Sequence, residues 1–133
     1  MPLATNPGIV EQAVEALLGG ELIIIPTDTV YGIAADVRDD NAVRALYAAK
    51  RRDPAAPLQL LFGSDTTLLG EYAALTEPAR SLIEALGPGA WTIVVPAREG
   101  WDSPALASGR TVGIRIVPVD VVLEIVDRLG APL

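Results

Sequence analysis

Three short stretches of this chain collect the residue types that hold anions and small polar molecules. Pro26-Thr27-Asp28-Thr29-Val30-Tyr31-Gly32 sets three hydroxyls, one carboxylate and a glycine directly after an apolar run at 22–25. Lys50-Arg51-Arg52 is the densest positive charge in an acidic chain. Thr111-Val112-Gly113-Ile114-Arg115 puts a hydroxyl, a glycine and a guanidinium at alternate positions, hence on one side of a strand. Hydroxyls and discrete cations of this kind can bind a carboxylate or a phosphate. Neither G-x-x-x-x-G-K-[ST] nor G-x-G-x-x-G occurs, so no glycine-rich phosphate loop is available for that work.

Each stretch also has a plainer account, and the residues alone leave both open. Asp28 can form an Asx turn while the threonines satisfy local amides and Tyr31 packs. The cations at 50–52 can complement a helix dipole and lie in solvent. One detail favours chemistry: of ten cationic residues Lys50 is the only lysine, and a compact ammonium meets an anion differently from a guanidinium. Arg115, on an otherwise apolar strand, needs either an edge position or an anionic partner. Pro88-Gly89-Ala90-Trp91-Thr92 reads as a rigid turn ahead of a strand.

The elements that must position these residues follow from the hydrophobic pattern. Ile9, Val10, Ala13, Val14, Leu17 and Leu18 recur at helical spacing, and Gly19-Gly20 closes that helix. The β-branched run 22–25 reads as a fully buried strand. A second helix carries Val43, Leu46 and Tyr47 on one face, with Asp40 or Asn41 as its cap, and runs into the cations at 50–52. Strands are expected at 58–62, 91–95 and 111–117, and short helices at 66–73 and 77–86, the latter capped by Thr76. A last amphipathic helix spans 120–129 and ends at Gly130. Helices alternating with apolar strands argue an α/β fold.

Composition narrows the chemistry. A chain of 133 residues without low-complexity tracts is expected to be a single domain, 1–133, that buries roughly 65–70 % of its unfolded surface. It has neither cysteine nor histidine, which removes disulfides, thiolate metal sites and imidazole bases together. A net charge of −7 argues against phosphate-backbone binding, so nucleic-acid binding is expected to be weak or absent. No apolar run approaches the length of a membrane span and no leader pattern precedes the first helix, so a soluble cytoplasmic protein is expected.

Taken in order, P-T-D-T-V-Y-G at 26–32, K-R-R at 50–52, P-L at 57–58, P-G-A-W-T at 88–92, T-V-G-I-R at 111–115 and G-A-P-L at 130–133 resemble the YrdC/Sua5 family of threonylcarbamoyl-AMP synthases. The similarity covers nearly the whole chain from about Ile9. It implies a YrdC/RibB-like α/β fold, a twisted mixed sheet flanked by helices around an open cavity. There L-threonine, bicarbonate and ATP with Mg²⁺ would become threonylcarbamoyl-AMP and pyrophosphate, for threonylcarbamoyladenosine (t6A) modification of tRNA by separate partner proteins. By position, the resemblance implies L-threonine on Thr29, Tyr31 and Arg115, and ATP on Lys50, Arg52 and Thr111. Lys50 and Arg52 would be the catalytic pair that neutralises charge, with no protein-held metal and no tightly bound cofactor.

The family's S-x-N motif follows G-x-P-L, whereas this sequence closes on Gly130-Ala131-Pro132-Leu133. The resemblance therefore implies a C-terminally truncated domain whose sheet exposes an edge or an apolar face, and which a second copy could complete as a homodimer. The alternative function is a module that binds ATP or threonine without turnover. A carbamoyl-transfer domain of the hydrogenase-maturation type ranks behind both, because such chains carry metal-binding segments and this one has no Cys or His.

Overall fold

Val10 and Leu17 lie two turns apart on one helical face, and residues Pro7–Leu18 form α1 with both side chains fully buried. The structure is a computed structural model and describes residues 7–133. Helix α1 ends where Gly20 adopts φ +83°, a left-handed conformation that glycine takes without strain. Two strands follow: β1 (Ile23–Pro26) and β2 (Tyr31–Ala34) pair antiparallel, with Ile24 opposite Ile33 and Pro26 opposite Tyr31.

Helix α2 (Asp40–Lys50) buries Val43, Leu46 and Tyr47, and leads to β3 (Gln59–Phe62). A 3₁₀ turn at Thr66–Leu68 opens into the single turn α3 (Leu69–Tyr72), and α4 (Glu77–Leu86) starts from Thr76, whose Oγ1 accepts the N–H of Ala79. Strand β4 (Ile93–Pro96), a 3₁₀ turn at Pro104–Leu106, strand β5 (Thr111–Ile116) and α5 (Asp120–Leu129) complete the elements.

The second sheet has the order β3-β5-β4, with β3 parallel and β4 antiparallel to the central β5. On one side of it Leu60, Phe62, Val112, Ile114 and Ile116 pack with Leu69, Tyr72 and Ile83. Burial of each large aliphatic or aromatic side chain is worth about 1.5–3 kcal/mol, so this layer fixes the register of β5. Alternation then turns Thr111, Gly113 and Arg115 to the other side, less buried than their neighbours. A second cluster joins Val10 and Leu17 of α1 to Val122, Ile125 and Val126 of α5, to Ile25 of β1, and to Ala131 and Leu133. The α/β fold with a mixed sheet flanked by helices is thus present.

Four local expectations need correction. The run at 22–25 is not fully buried: β1 belongs to a two-stranded sheet, and Ile24 on its outer face is 74 % exposed. A strand absent from the expected elements follows the hairpin turn, because Tyr31 and Gly32 already belong to β2. Helix α2 is capped by Asp39, whose Oδ1 accepts the N–H of Ala42 at 3.1 Å, rather than by Asp40 or Asn41. The segment 66–73 is a 3₁₀ turn plus one helical turn instead of a continuous helix.

Candidate substrate-binding cleft

The turn between β1 and β2 is organised by Thr27. Its Oγ1 accepts the N–H of Thr29 at 3.3 Å and of Val30 at 3.2 Å, and donates to the carbonyl of Val30. Thr27 therefore does the local work that an Asx turn would assign to Asp28. That leaves the Asp28 carboxylate free of the turn, and it pairs with Nη2 of Arg115, 87 residues away in sequence. Tyr31 does not pack; it is 75 % exposed.

The cations are placed by the end of α2. Lys50 is the last helical residue, and Arg51 caps the helix in the left-handed region at φ 49°, turning the chain sharply. The N–H of Arg52 returns to the carbonyl of Tyr47 at 3.0 Å. The Arg52 guanidinium donates to the carbonyl of Pro57 at 2.8 Å, and the Tyr47 hydroxyl donates to that of Ala56 at 2.7 Å. These two bonds hold the 53–57 loop against α2 just ahead of β3. Burial pushes the Tyr47 hydroxyl above the ordinary tyrosine range, while the charge of Arg52 works in the opposite direction.

Hairpin, helix end and β3 enclose a cleft of about 350 Å³, within the usual size range for small-molecule sites. Thr27, Thr29, Tyr31, Lys50, Arg52 and Arg115 line it together with an apolar floor that includes Leu60, Leu61 and Leu133. Five of the six residues singled out in the sequence, Thr29, Tyr31, Lys50, Arg52 and Arg115, thus meet at one cavity. Thr111 is not among the lining residues: it stands four positions from Arg115 along β5, about 13 Å away at strand rise, opposite Pro96.

The cleft is electrostatically uneven. Among the described residues neither Lys50 nor Arg52 has an anionic partner, whereas Arg115 is compensated by Asp28. One end therefore offers two free positive charges and the other an ion pair. The lining is rich in donors to oxygen, and among the described residues no cluster of His, Cys, Asp or Glu is placed to hold a metal ion. No helix among them is long and apolar enough to cross a membrane.

Comparison with known proteins places this architecture. The model of the Sua5/YciO/YrdC domain, described as telomere recombination, matches residues 15–133. The chain belongs to the Sua5/YciO/YrdC family. A Mycobacterium tuberculosis relative is 38 % identical over 129 residues, 97 % of this chain and 59 % of that protein. The threonylcarbamoyl-AMP synthase of Bacillus subtilis is 31 % identical over 132 residues, 98 % of this chain and 38 % of its own length. This chain therefore spans well under two thirds of the relatives it matches. Among solved structures, P. abyssi Sua5 complexed with L-threonine superposes with a TM-score of 0.84 at 29 % identity, over 92 % of this chain and 36 % of that one. E. coli YciO, with a TM-score of 0.83 at 23 % identity over 96 % of this chain and 62 % of that one, shares the fold.

Asp28 is the functional feature that sequence reasoning reached only halfway. An arginine on an apolar strand signals a missing anion, but nothing in the spacing says that the anion comes from the hairpin. Leu133, which closes the cleft floor, carries no chemical signal at all.

Proposed function

We propose that this chain carries the substrate cleft of an L-threonylcarbamoyladenylate synthase, a nucleotidyltransferase of tRNA t6A modification acting in the cytoplasm. The supporting observation is the convergence of Thr29, Tyr31, Lys50, Arg52 and Arg115, from three distant stretches, on one cavity. Family membership and relatives named threonylcarbamoyl-AMP synthase support the same reading.

In this reading L-threonine sits at the hairpin end, its carboxylate on Arg115 and its hydroxyl among Thr29 and Tyr31. ATP enters with Mg²⁺ on its phosphates, and Lys50 and Arg52 neutralise the phosphate charge; Thr111, outside the cleft lining, would reach only an extended part of the nucleotide. Carboxylation of the threonine amine by bicarbonate releases water and gives a carbamate. A carbamate oxygen then attacks the α-phosphorus while the bond to the departing pyrophosphate breaks. Positioning and charge neutralisation are sufficient for such a transfer, so a chain without histidine or cysteine can promote it.

Incubation with L-threonine, bicarbonate and Mg-ATP should release pyrophosphate in a threonine-dependent manner. No pyrophosphate at high protein concentration would exclude the synthase activity. Calorimetric binding of both ATP and threonine in that case would establish a ligand-binding module, and binding of neither would remove the cleft assignment.

A further inference from the structure

Of the three arginines that pair with aspartates among the described residues, Arg38 and Arg115 make an informative contrast. Arg38 closes a complete fork on the buried Asp36: Nε donates to Oδ1 at 3.0 Å and Nη2 to Oδ2 at 2.8 Å. Arg115 meets Asp28 through Nη2 alone. Its Nε is buried and, among the described residues, has no hydrogen-bond partner. A buried donor left bare is costly, whereas a carboxylate seated side-on would satisfy Nε and Nη2 together. The seat on Arg115 is therefore half occupied, by a carboxylate carried on the hairpin turn that lines the same cleft.

We infer that Asp28 is a specificity-determining internal counter-ion, which yields the Arg115 fork to the carboxylate of an α-amino acid and takes up that ligand's ammonium group. The inference rests on the proposed amino-acid site. A ligand carboxylate that completes the fork must displace Asp28 from Nη2, leaving two carboxylates beside one guanidinium. A plain carboxylic acid meets that repulsion uncompensated. An α-amino acid brings its own cation within reach of the released carboxylate, so the charges balance again. The two side chains are only 17 % and 14 % exposed, which limits the ability of water to screen this exchange. Among the described residues Lys50 and Arg52 have no such counter-ion, so amine selectivity is confined to the Arg115 end of the cleft.

The test compares L-threonine with 3-hydroxybutyrate, which lacks only the amine, by calorimetry on the wild type and on Asp28→Asn. The wild type should favour threonine by tenfold or more, about the effect of one charge-assisted contact. In Asp28→Asn, 3-hydroxybutyrate should bind more tightly and threonine no better than before, so that the preference shrinks by about tenfold. A purely structural Asp28 would weaken both ligands alike, and an unchanged preference overturns the inference while leaving the threonine site standing. A wild type that binds neither ligand removes the site and the inference together. Should the variant fail to fold, the Arg115 Nε–H resonance of the wild type gives the answer. It should shift downfield when L-threonine is added, and a stationary resonance at saturating threonine overturns the proposal.

Discussion

Leu133 and Leu61 exchange both backbone hydrogen bonds, the N–H of Leu61 reaching the carbonyl of Leu133 at 2.7 Å and the reverse bond spanning 3.0 Å. This pair is the narrow rung of an antiparallel ladder, and it docks the end of the described chain on the free side of β3. The carbonyl of Pro132 accepts the N–H of Val37 at 3.4 Å in the turn after β2, so residues 132 and 133 bond to that turn and to β3. The Leu133 side chain is buried beside Val10 and Ile125 and also floors the cleft. Leu133→Ala should therefore cost about 2–5 kcal/mol, the range for truncation of a buried core leucine. A urea titration would show a lower midpoint with an unchanged slope; a wild-type midpoint would mean that burial of this side chain contributes nothing.

The two free cations make a separable prediction. Lys50 is exposed and, among the described residues, has no ion-pair partner, so Lys50→Ala should leave stability within about 0.5 kcal/mol while weakening Mg-ATP binding about tenfold. The wild-type affinity should also fall between low and high salt, because screening shortens the reach of exposed charges. Calorimetry at two ionic strengths checks both points. Equal ATP affinity in the variant would place the phosphates elsewhere.

How far the sequence reached depends on what each feature needs. Helices α4 and α5 were legible because their caps and apolar faces are local: Thr76 before α4 and Gly130 after α5 stand where the pattern puts them. The alternation on β5 was equally local, and it placed Arg115 opposite the packed layer. Strand β2 was not legible, because its pairing with β1 depends on a turn built by Thr27 from hydroxyl contacts that many loops share. Nor was the exposure of Ile24, since a β-branched run looks the same in a buried sheet and in a two-stranded ribbon with one face open. Asp28 could be marked as polar and well placed, but its partner lies across the fold.

Tyr47 ties α2 to the loop ahead of β3, its ring buried in the core and its hydroxyl donating to the carbonyl of Ala56 at 2.7 Å. Tyr47→Phe keeps the ring and leaves that carbonyl unpaired, which should cost about 0.5–1.5 kcal/mol. The 53–57 loop would then be held on this side by the Arg52–Pro57 bond alone. Faster amide exchange confined to that loop, with a small drop in thermal midpoint, is the expected result. Unchanged exchange would mean that the hydroxyl does not tether the loop.

Tyr72 gives the chain an alkaline weak point. It lies edge-on to Phe62 at 6.0 Å and to Trp101 at 5.0 Å between ring centroids. Burial, with the negative charge of Glu71 and then Asp36 adding to it, pushes its hydroxyl above the usual tyrosine value of about 10, against a smaller opposing pull from Arg38. Because the folded form holds the proton more tightly than the unfolded chain, this contribution to stability is complete below pH about 10 and is lost as pH rises from there through the folded value. Tyr47 is shifted in the same direction and adds to the same loss. Tyr72→Phe preserves both ring contacts and removes the proton, so its stability should fall less steeply than that of the wild type above pH about 10. Urea midpoints measured on both proteins from pH 8 upwards would show the gap between the curves changing above pH about 10, the wild type falling faster. Parallel curves across that range would show that Tyr72 titrates alike in the folded and unfolded chains.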